Sequence, residues 1–248
     1  MTVAKLYERL EELLPRSLSC EWDNDGLMCC PDPDAEVKRV LFTLDVTAQA
    51  VDYAVAGGFD LILSHHPMIF RPLTGITDPR FIKLIQNGVS VMSFHTRLDA
   101  KEGGVNHVLA ELLGLEDVVR LGEGGVGVVG NLPRAMKPDA FAALVKRALK
   151  SPKLEVVLTD RPCQRVAVVG GDGKDFLGDA AAIGADTYLT GELKHNYLAD
   201  APELGINLLA GGHFHTENLI CQRIREMLLE IDPSLVVDVI SSNAVRVL

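Results

Sequence analysis

Short apolar runs rich in β-branched residues alternate with helix-like segments along most of this chain, and that alternation limits the fold more than any other feature. Residues 40–46 (VLFTLDV) read as a buried strand, 47–57 as a helix with glycine at its end, and 61–64 (LILS) as a second buried strand. Together they form a βαβ unit, whose strands run parallel because the crossover helix carries the chain back. A third strand over 89–94 leads straight into His95, and 103–113 is again helical in pattern. Strands at 126–129 and 154–158 flank a helix at 138–149, with Pro138 tolerated in the first turn. Strands at 165–169, 187–190 and 207–210 then alternate with helices near 176–183 and from Lys194. A helix from about 217 to 231 and a strand at 235–240 close the chain. The expectation is an α/β fold of two lobes: residues 1–124 with a returning segment 206–248, and residues 125–205, divided where glycine is dense.

Composition narrows the function classes. Apolar residues make up 48% of the chain, charged residues 23%, and no run of eighteen apolar residues occurs, which argues against a membrane span. The first ten residues pattern as an amphipathic helix rather than a secretory signal. Five cysteines, odd in number and without CxxC spacing, suggest neither a disulfide framework nor a thiolate zinc site, so a reducing cytoplasm fits best. A formal net charge of −10 with no basic run disfavours nucleic-acid binding, which needs clustered Lys and Arg. An anionic small substrate stays compatible, because metal ions can supply local positive charge.

Five of the seven histidines fall in three segments, two of which also carry a carboxylate: Ser64-His65-His66-Pro67, His95-Thr96-Arg97-Leu98-Asp99 and Gly212-His213-Phe214-His215-Thr216-Glu217. Imidazole and carboxylate are the ligands that Zn²⁺, Fe²⁺ and Mn²⁺ share, and the set offers more donors than one tetrahedral ion needs. Two neighbouring ions suit it, and such a centre holds a bridging hydroxide for hydrolysis. His65-His66, His95 and His213 all fall just past the carboxyl end of an expected strand, where open α/β sheets bind ligands. Taken singly, each histidine reads as a surface or hydrogen-bonded core residue; their common location favours a site. Neighbouring strand residues point to opposite faces, so His65 and His66 share a site only if the chain turns there, as Pro67 permits. His213 and Glu217 share a face in a helix, while His213, His215 and Glu217 share one in an extended segment. In the second segment Asp99 is the better ligand, and His95 a ligand, an orienting group or an acid/base.

Three further segments are weaker. Thr190-Gly191-Glu192-Leu193-Lys194-His195 turns from strand to helix, with His195 either a proton donor or an exposed side chain of a capped helix. Gly170-Gly171-Asp172-Gly173 reads more readily as a tight turn than as a phosphate cradle, since it matches neither the dinucleotide nor the P-loop spacing. Residues 22–27 read as a loop anchored by the only tryptophan, or as a solvent-facing apolar plug at a subunit contact.

With Trp22-Asp23-Asn24-x-Gly26-Leu27 and the motifs at 64–67, 95–99, 170–173, 190–195 and 212–217 in one order, the chain resembles the YbgI-like family, the GTP cyclohydrolase type 2 homologues, in its short form. The resemblance implies two similar α/β lobes with mixed sheets flanked by helices, a dinuclear metal site between them, and a toroidal homohexamer. It implies His65, His66, Asp99, His213 and Glu217 as ligands of two divalent ions (Zn, Fe, Mn or Ni), and a hydrolase acting on a small molecule such as a nucleotide. His95, His195 and His215 are the candidate catalytic acids or bases. A metal-binding chaperone or regulatory protein without turnover is the rival. Asp25 and His215 depart from the family pattern, Asp25 standing where an apolar residue is commoner.

Overall fold

A computed structural model describes residues 1–122 and 125–247. Its strands are β1 (Gly26–Cys29), β2 (Arg39–Thr43), β3 (Leu61–Ser64), β4 (Ser90–Ser93), β5 (Glu116–Arg120), β6 (Val128–Met136), β7 (Glu155–Val157), β8 (Cys163–Val169), β9 (Thr187–Thr190), β10 (Asn207–Ala210) and β11 (Val236–Val239). Its helices are α1 (Val3–Leu13), α2 (Ala48–Ala56), α3 (Pro79–Gln86), α4 (Thr96–Ala100), α5 (Val105–Leu112), α6 (Pro138–Ala148), α7 (Leu177–Ala182), α8 (His195–Asp200), α9 (His213–Glu217) and α10 (Cys221–Ile231). Threonine and aspartate start several of them: Thr2, Thr47 and Asp78 each accept an amide of the first turn of α1, α2 and α3.

The chain forms two units, each with its own mixed sheet. The first takes Met1–Leu98 and Cys221–Ala244. Its sheet runs β1-β4-β3-β2-β11, parallel except for β1 at one edge. Leu41, Ile62 and Val91 pack with Val51, Ala54 and Leu84 of α2 and α3 on one side of it. The parallel strands end in register, with Thr43 opposite Ser64 and Ser64 opposite Ser93. Antiparallel β1 begins opposite Ser93, which brings residues 23–25 to the same sheet end.

The second unit holds Asp99–Ile220 and the residues from Val245 on. Its sheet runs β5-β6-β8-β9-β10-β7, with β8, β9 and β10 parallel and the others antiparallel. Again the parallel ends align, Val169 opposite Thr190 and Thr190 opposite Ala210.

The dividing points differ from those the sequence suggests. Leu109, Leu113 and Leu115 pack with Val128, Phe141 and Val166, so 99–122 join the second core. Strand β10 pairs with β9 and β7, which takes 207–220 into the second unit as well. Residues 123 and 124, beside the expected division, lie outside the described residues. The last long helix also differs: it starts at His213, passes through a 3₁₀ turn at Asn218–Ile220 and continues as α10. Strands β1 and β5 have no counterpart in the sequence expectations: β1 follows directly on the polar loop at 22–25, and β5 is mostly exposed and lacks an apolar run.

Candidate metal and substrate site

In the first unit, aligned strand ends convert sequence neighbours into spatial ones. Just beyond Thr43, Ser64 and Ser93 come Asp45, His65-His66 and His95, and just before β1 come Asp23 and Asp25. The Ser64 and Ser93 hydroxyls bond to each other at 2.7 Å, so the polar rim begins inside the sheet. The chain turns after Ser64, and the rings of His65 and His66 lie 5.0 Å apart while His95 sits 5.2 Å from His65 and 5.6 Å from His66. One nitrogen from each of the three comes within 4.8 Å of the other two, a separation that suits donors around a metal ion.

The ring orientations carry more information than the distances. Nδ1 of His65 faces the Phe94 carbonyl at 3.1 Å, Nδ1 of His66 faces Asp45 Oδ1 at 2.8 Å, and Nδ1 of His95 faces Asp23 Oδ1 at 3.0 Å. A carbonyl or an ionised carboxylate only accepts, so each Nδ1 carries the proton and each Nε2 keeps its lone pair when the ring is neutral. This carboxylate–histidine arrangement is the one that metal-binding imidazoles adopt. Burial pushes the Asp23 carboxyl upward, but hydrogen bonds from His95, the Thr96 hydroxyl and the Thr96 amide outweigh it and hold the group at about 2. Asp23 therefore stays anionic at neutral pH and accepts from His95 Nδ1.

The loop that carries Asp23 is not anchored by its tryptophan, as the first sequence reading had it. Trp22 is 63% exposed, whereas Asp23 and Asp25 are buried. Asp25 accepts from Arg97 Nε at 2.9 Å and Arg16 Nη1 at 2.7 Å, and Arg97, itself buried, also reaches Glu11 at 2.6 Å and the Leu14 carbonyl at 2.8 Å. That accounts for the acidic residue at 25: a buried arginine requires it.

The second unit gathers another donor set. Because His213–Glu217 is helical, these two residues share a face, and His213 Nε2 lies 3.2 Å from Glu217 Oε1. His213 Nδ1 is held by Glu192 Oε1 at 2.7 Å, so Nε2 is the nitrogen that faces the Glu217 carboxylate. The donor chemistry thus fits a divalent ion. His215 lies about 200° around the helix from His213, off that face. Asp99 is buried on α4, its carbonyl accepting from Asn106 Nδ2 at 3.3 Å. His195 is exposed at the start of α8, and Glu192 of the same turn, not His195, contacts His213.

The glycine segment at 170–173 serves this pair. A Cβ on Gly171, whose φ is +65°, would lie 2.1 Å from Glu217 Oε1 and 3.1 Å from His213 Nε2. Only glycine admits both that backbone and that approach. The amides of Gly170, Gly171 and Gly173 donate to Asn106, Thr216 and Thr190 respectively, so they are already engaged and the segment is a tight turn.

A family model, Duf34/NIF3 (NGG1p interacting factor 3), matches residues 1–246. The chain belongs to the Duf34/NIF3 family. A relative from Clostridium perfringens named "GTP cyclohydrolase 1 type 2 homolog" is 33% identical over 98% of this chain and 97% of its own length. The solved Staphylococcus aureus protein SA1388 superposes with a TM-score of 0.90 at 26% identity, covering 100% of this chain and 99% of that one. The structure of the protein ybgI, described as of unknown function, gives 0.86 at 25% identity, over 98% of this chain and 99% of that one. The Duf34/NIF3 assignment agrees with the YbgI-like resemblance carried by the motifs. Sequence pattern alone does not single out Asp23, Asp45 and Glu192, which orient the imidazoles of this Duf34/NIF3 protein. Asp23 stands inside the tryptophan motif and Glu192 inside the 190–195 motif, so the motifs held a signal whose meaning needed the fold.

Proposed function

We propose that this Duf34/NIF3 protein is a dinuclear metal-dependent hydrolase acting on a nucleotide or related heterocycle, GTP cyclohydrolase-like in chemistry. The observation that carries the reading is that His65, His66, His95 and His213 each have Nδ1 held by a carbonyl or carboxylate. His65 and His66 of one unit and Asp99, His213 and Glu217 of the other are the proposed ligands of two divalent ions, Zn, Fe, Mn or Ni. Bound there, such ions supply an activated water at neutral pH and positive charge for a developing oxyanion. His95, with Asp23 at its Nδ1, is the proposed carrier of a proton at Nε2 for a leaving nitrogen. His215 and His195 are the other proposed proton carriers. Assembly as a toroidal homohexamer in the cytoplasm belongs to the same proposal, and no helix among the described residues is long and apolar enough to cross a membrane.

A metal-binding chaperone is the second reading, favoured by the partial exposure of His66 and His213, which suits exchangeable ions. Elemental analysis of the parent protein and Glu217→Ala, coupled to a chromatographic assay of GTP and other nucleotides, separates the two. About two ions per chain and turnover, both lost in the variant, support the hydrolase. Metal that passes rapidly to an acceptor chelator, with no nucleotide consumed, overturns it in favour of the chaperone.

A further inference from the structure

We propose that Trp22 and Phe70 form a stacking platform for the planar ring of the ligand, a purine or close heteroaromatic relative, beside the imidazoles of His65, His66 and His95. The inference rests on the hydrolase reading for the kind of ligand, but not for its geometry. Trp22, the only tryptophan, is 63% exposed and Phe70 is 49% exposed, while the carboxylates of Asp23 and Asp25 are buried. That is the reverse of the ordinary partition of side chains.

The loop is also firmly held. Asp23 is fixed by His95 and Thr96, the Cys20 amide donates to Thr96 Oγ1 at 2.9 Å, and Asp25 is fixed by Arg97 and Arg16. Asn24 Nδ2 donates to the Ile69 carbonyl at 2.5 Å, which ties the tryptophan to the segment bearing Phe70. A rigid loop that presents a large aromatic outward is preorganised for a partner.

The ring geometry narrows the partner. The Trp22 and Phe70 centroids are 6.1 Å apart at 55°, and Trp22 and His95 are 6.1 Å apart at 74°. Neither neighbour stacks parallel on the indole. The contact with His95 sets the indole at the edge of the imidazole set, so a ring lying on it can reach those imidazoles. Arg16 and Arg97 are committed to Asp25 and Glu11, so what the loop itself offers a ligand is a ring face.

Because Trp22 is the sole indole, its emission excited at the red edge of absorption reports the site directly. Titration of the whole protein with GTP, guanosine and adenosine is expected to quench it, and inorganic triphosphate is not. Equilibrium dialysis should show GTP binding about tenfold weaker in Trp22→Ala and nearly unchanged in Trp22→Phe, with metal content equal in all three. Phe70→Ala should give a smaller loss and serves if Trp22→Ala fails to fold. Triphosphate binding as tightly as GTP, no quenching by any of the three purines, or unaltered GTP affinity in the folded alanine variants overturns the platform. Dissociation of the assembly in Trp22→Ala, by sedimentation, with purine affinity retained also overturns it, in favour of a subunit contact. Purine binding that depends on Trp22 without hydrolysis keeps the platform and sinks the hydrolase reading; hydrolysis indifferent to Trp22 does the opposite.

Discussion

After β2, β3 and β4 in the first unit come Asp45, His65-His66 and His95; after β8, β9 and β10 in the second come Gly170-Gly171, Gly191-Glu192 and Gly211-Gly212-His213. Both sheets end their parallel strands in register, yet the first crowds its end with charged side chains and the second clears its end with glycine. In the first unit, buried charges neutralise one another around Asp23, Asp25 and Arg97. In the second, backbone turns satisfied by Thr190 and Thr216 make room for a carboxylate from a helix. The difference teaches that an aligned parallel sheet end is a general platform for polar groups, and that the donors can be supplied by strand ends themselves or by a helix brought close over small residues.

This contrast predicts how each half fails. Removing a buried charge should hurt most: Arg97→Met leaves Asp25 and Glu11 without their shared partner, and urea unfolding is expected to show a loss of about 3–5 kcal/mol. A loss under about 1 kcal/mol would mean that Arg16 alone balances Asp25. Next comes Gly171→Ala in the second unit, where a left-handed backbone and the approach to Glu217 oppose a side chain. The expected cost is about 1–3 kcal/mol, together with weaker metal retention measured by competition with a chelator. Wild-type stability and metal affinity in that variant would remove the glycine turn from the site.

The smallest effects should come from the groups behind the imidazoles. Asp45→Asn and Glu192→Gln, one in each unit, leave the fold intact and are expected to lower metal affinity about tenfold, at the low end for such partners because both are substantially exposed. Equal losses at both ions would tie the two donor sets to one centre. A loss confined to one ion per variant would assign each set its own ion, and no loss would reduce these pairs to surface ion pairs.

Much of this was legible beforehand, and the reasons differ by element. The strands at 40–43, 61–64, 90–93, 187–190 and 207–210 are runs of apolar and β-branched residues bounded by polar or glycine turns, and a buried parallel strand has little freedom to look otherwise. The histidines were visible because they follow those strands directly. What escaped were partners remote in sequence: Asp23 meets His95 across 72 positions and Glu192 meets His213 across 21, distances over which local pattern carries no signal. Asp45, by contrast, falls within the strand pattern of 40–46, and only the end of β2 at Thr43 frees it to turn toward His66. The dividing points moved for a similar reason, since whether 99–122 and 206–220 pack on one core or the other depends on long-range pairing.

By itself, then, the sequence determined that this chain alternates strands with helices, carries four of its seven imidazoles just past strand ends and lacks the paired-cysteine spacing or basic runs of other site types, because those properties depend on residue type and near neighbours. Tertiary structure alone decided which strand ends lie side by side, which carboxylate orients which ring, where Glu217 can approach over Gly171, and that Trp22 faces outward. Those outcomes depend on sheet register and on one antiparallel edge strand, and register is set by the packing of the whole sheet.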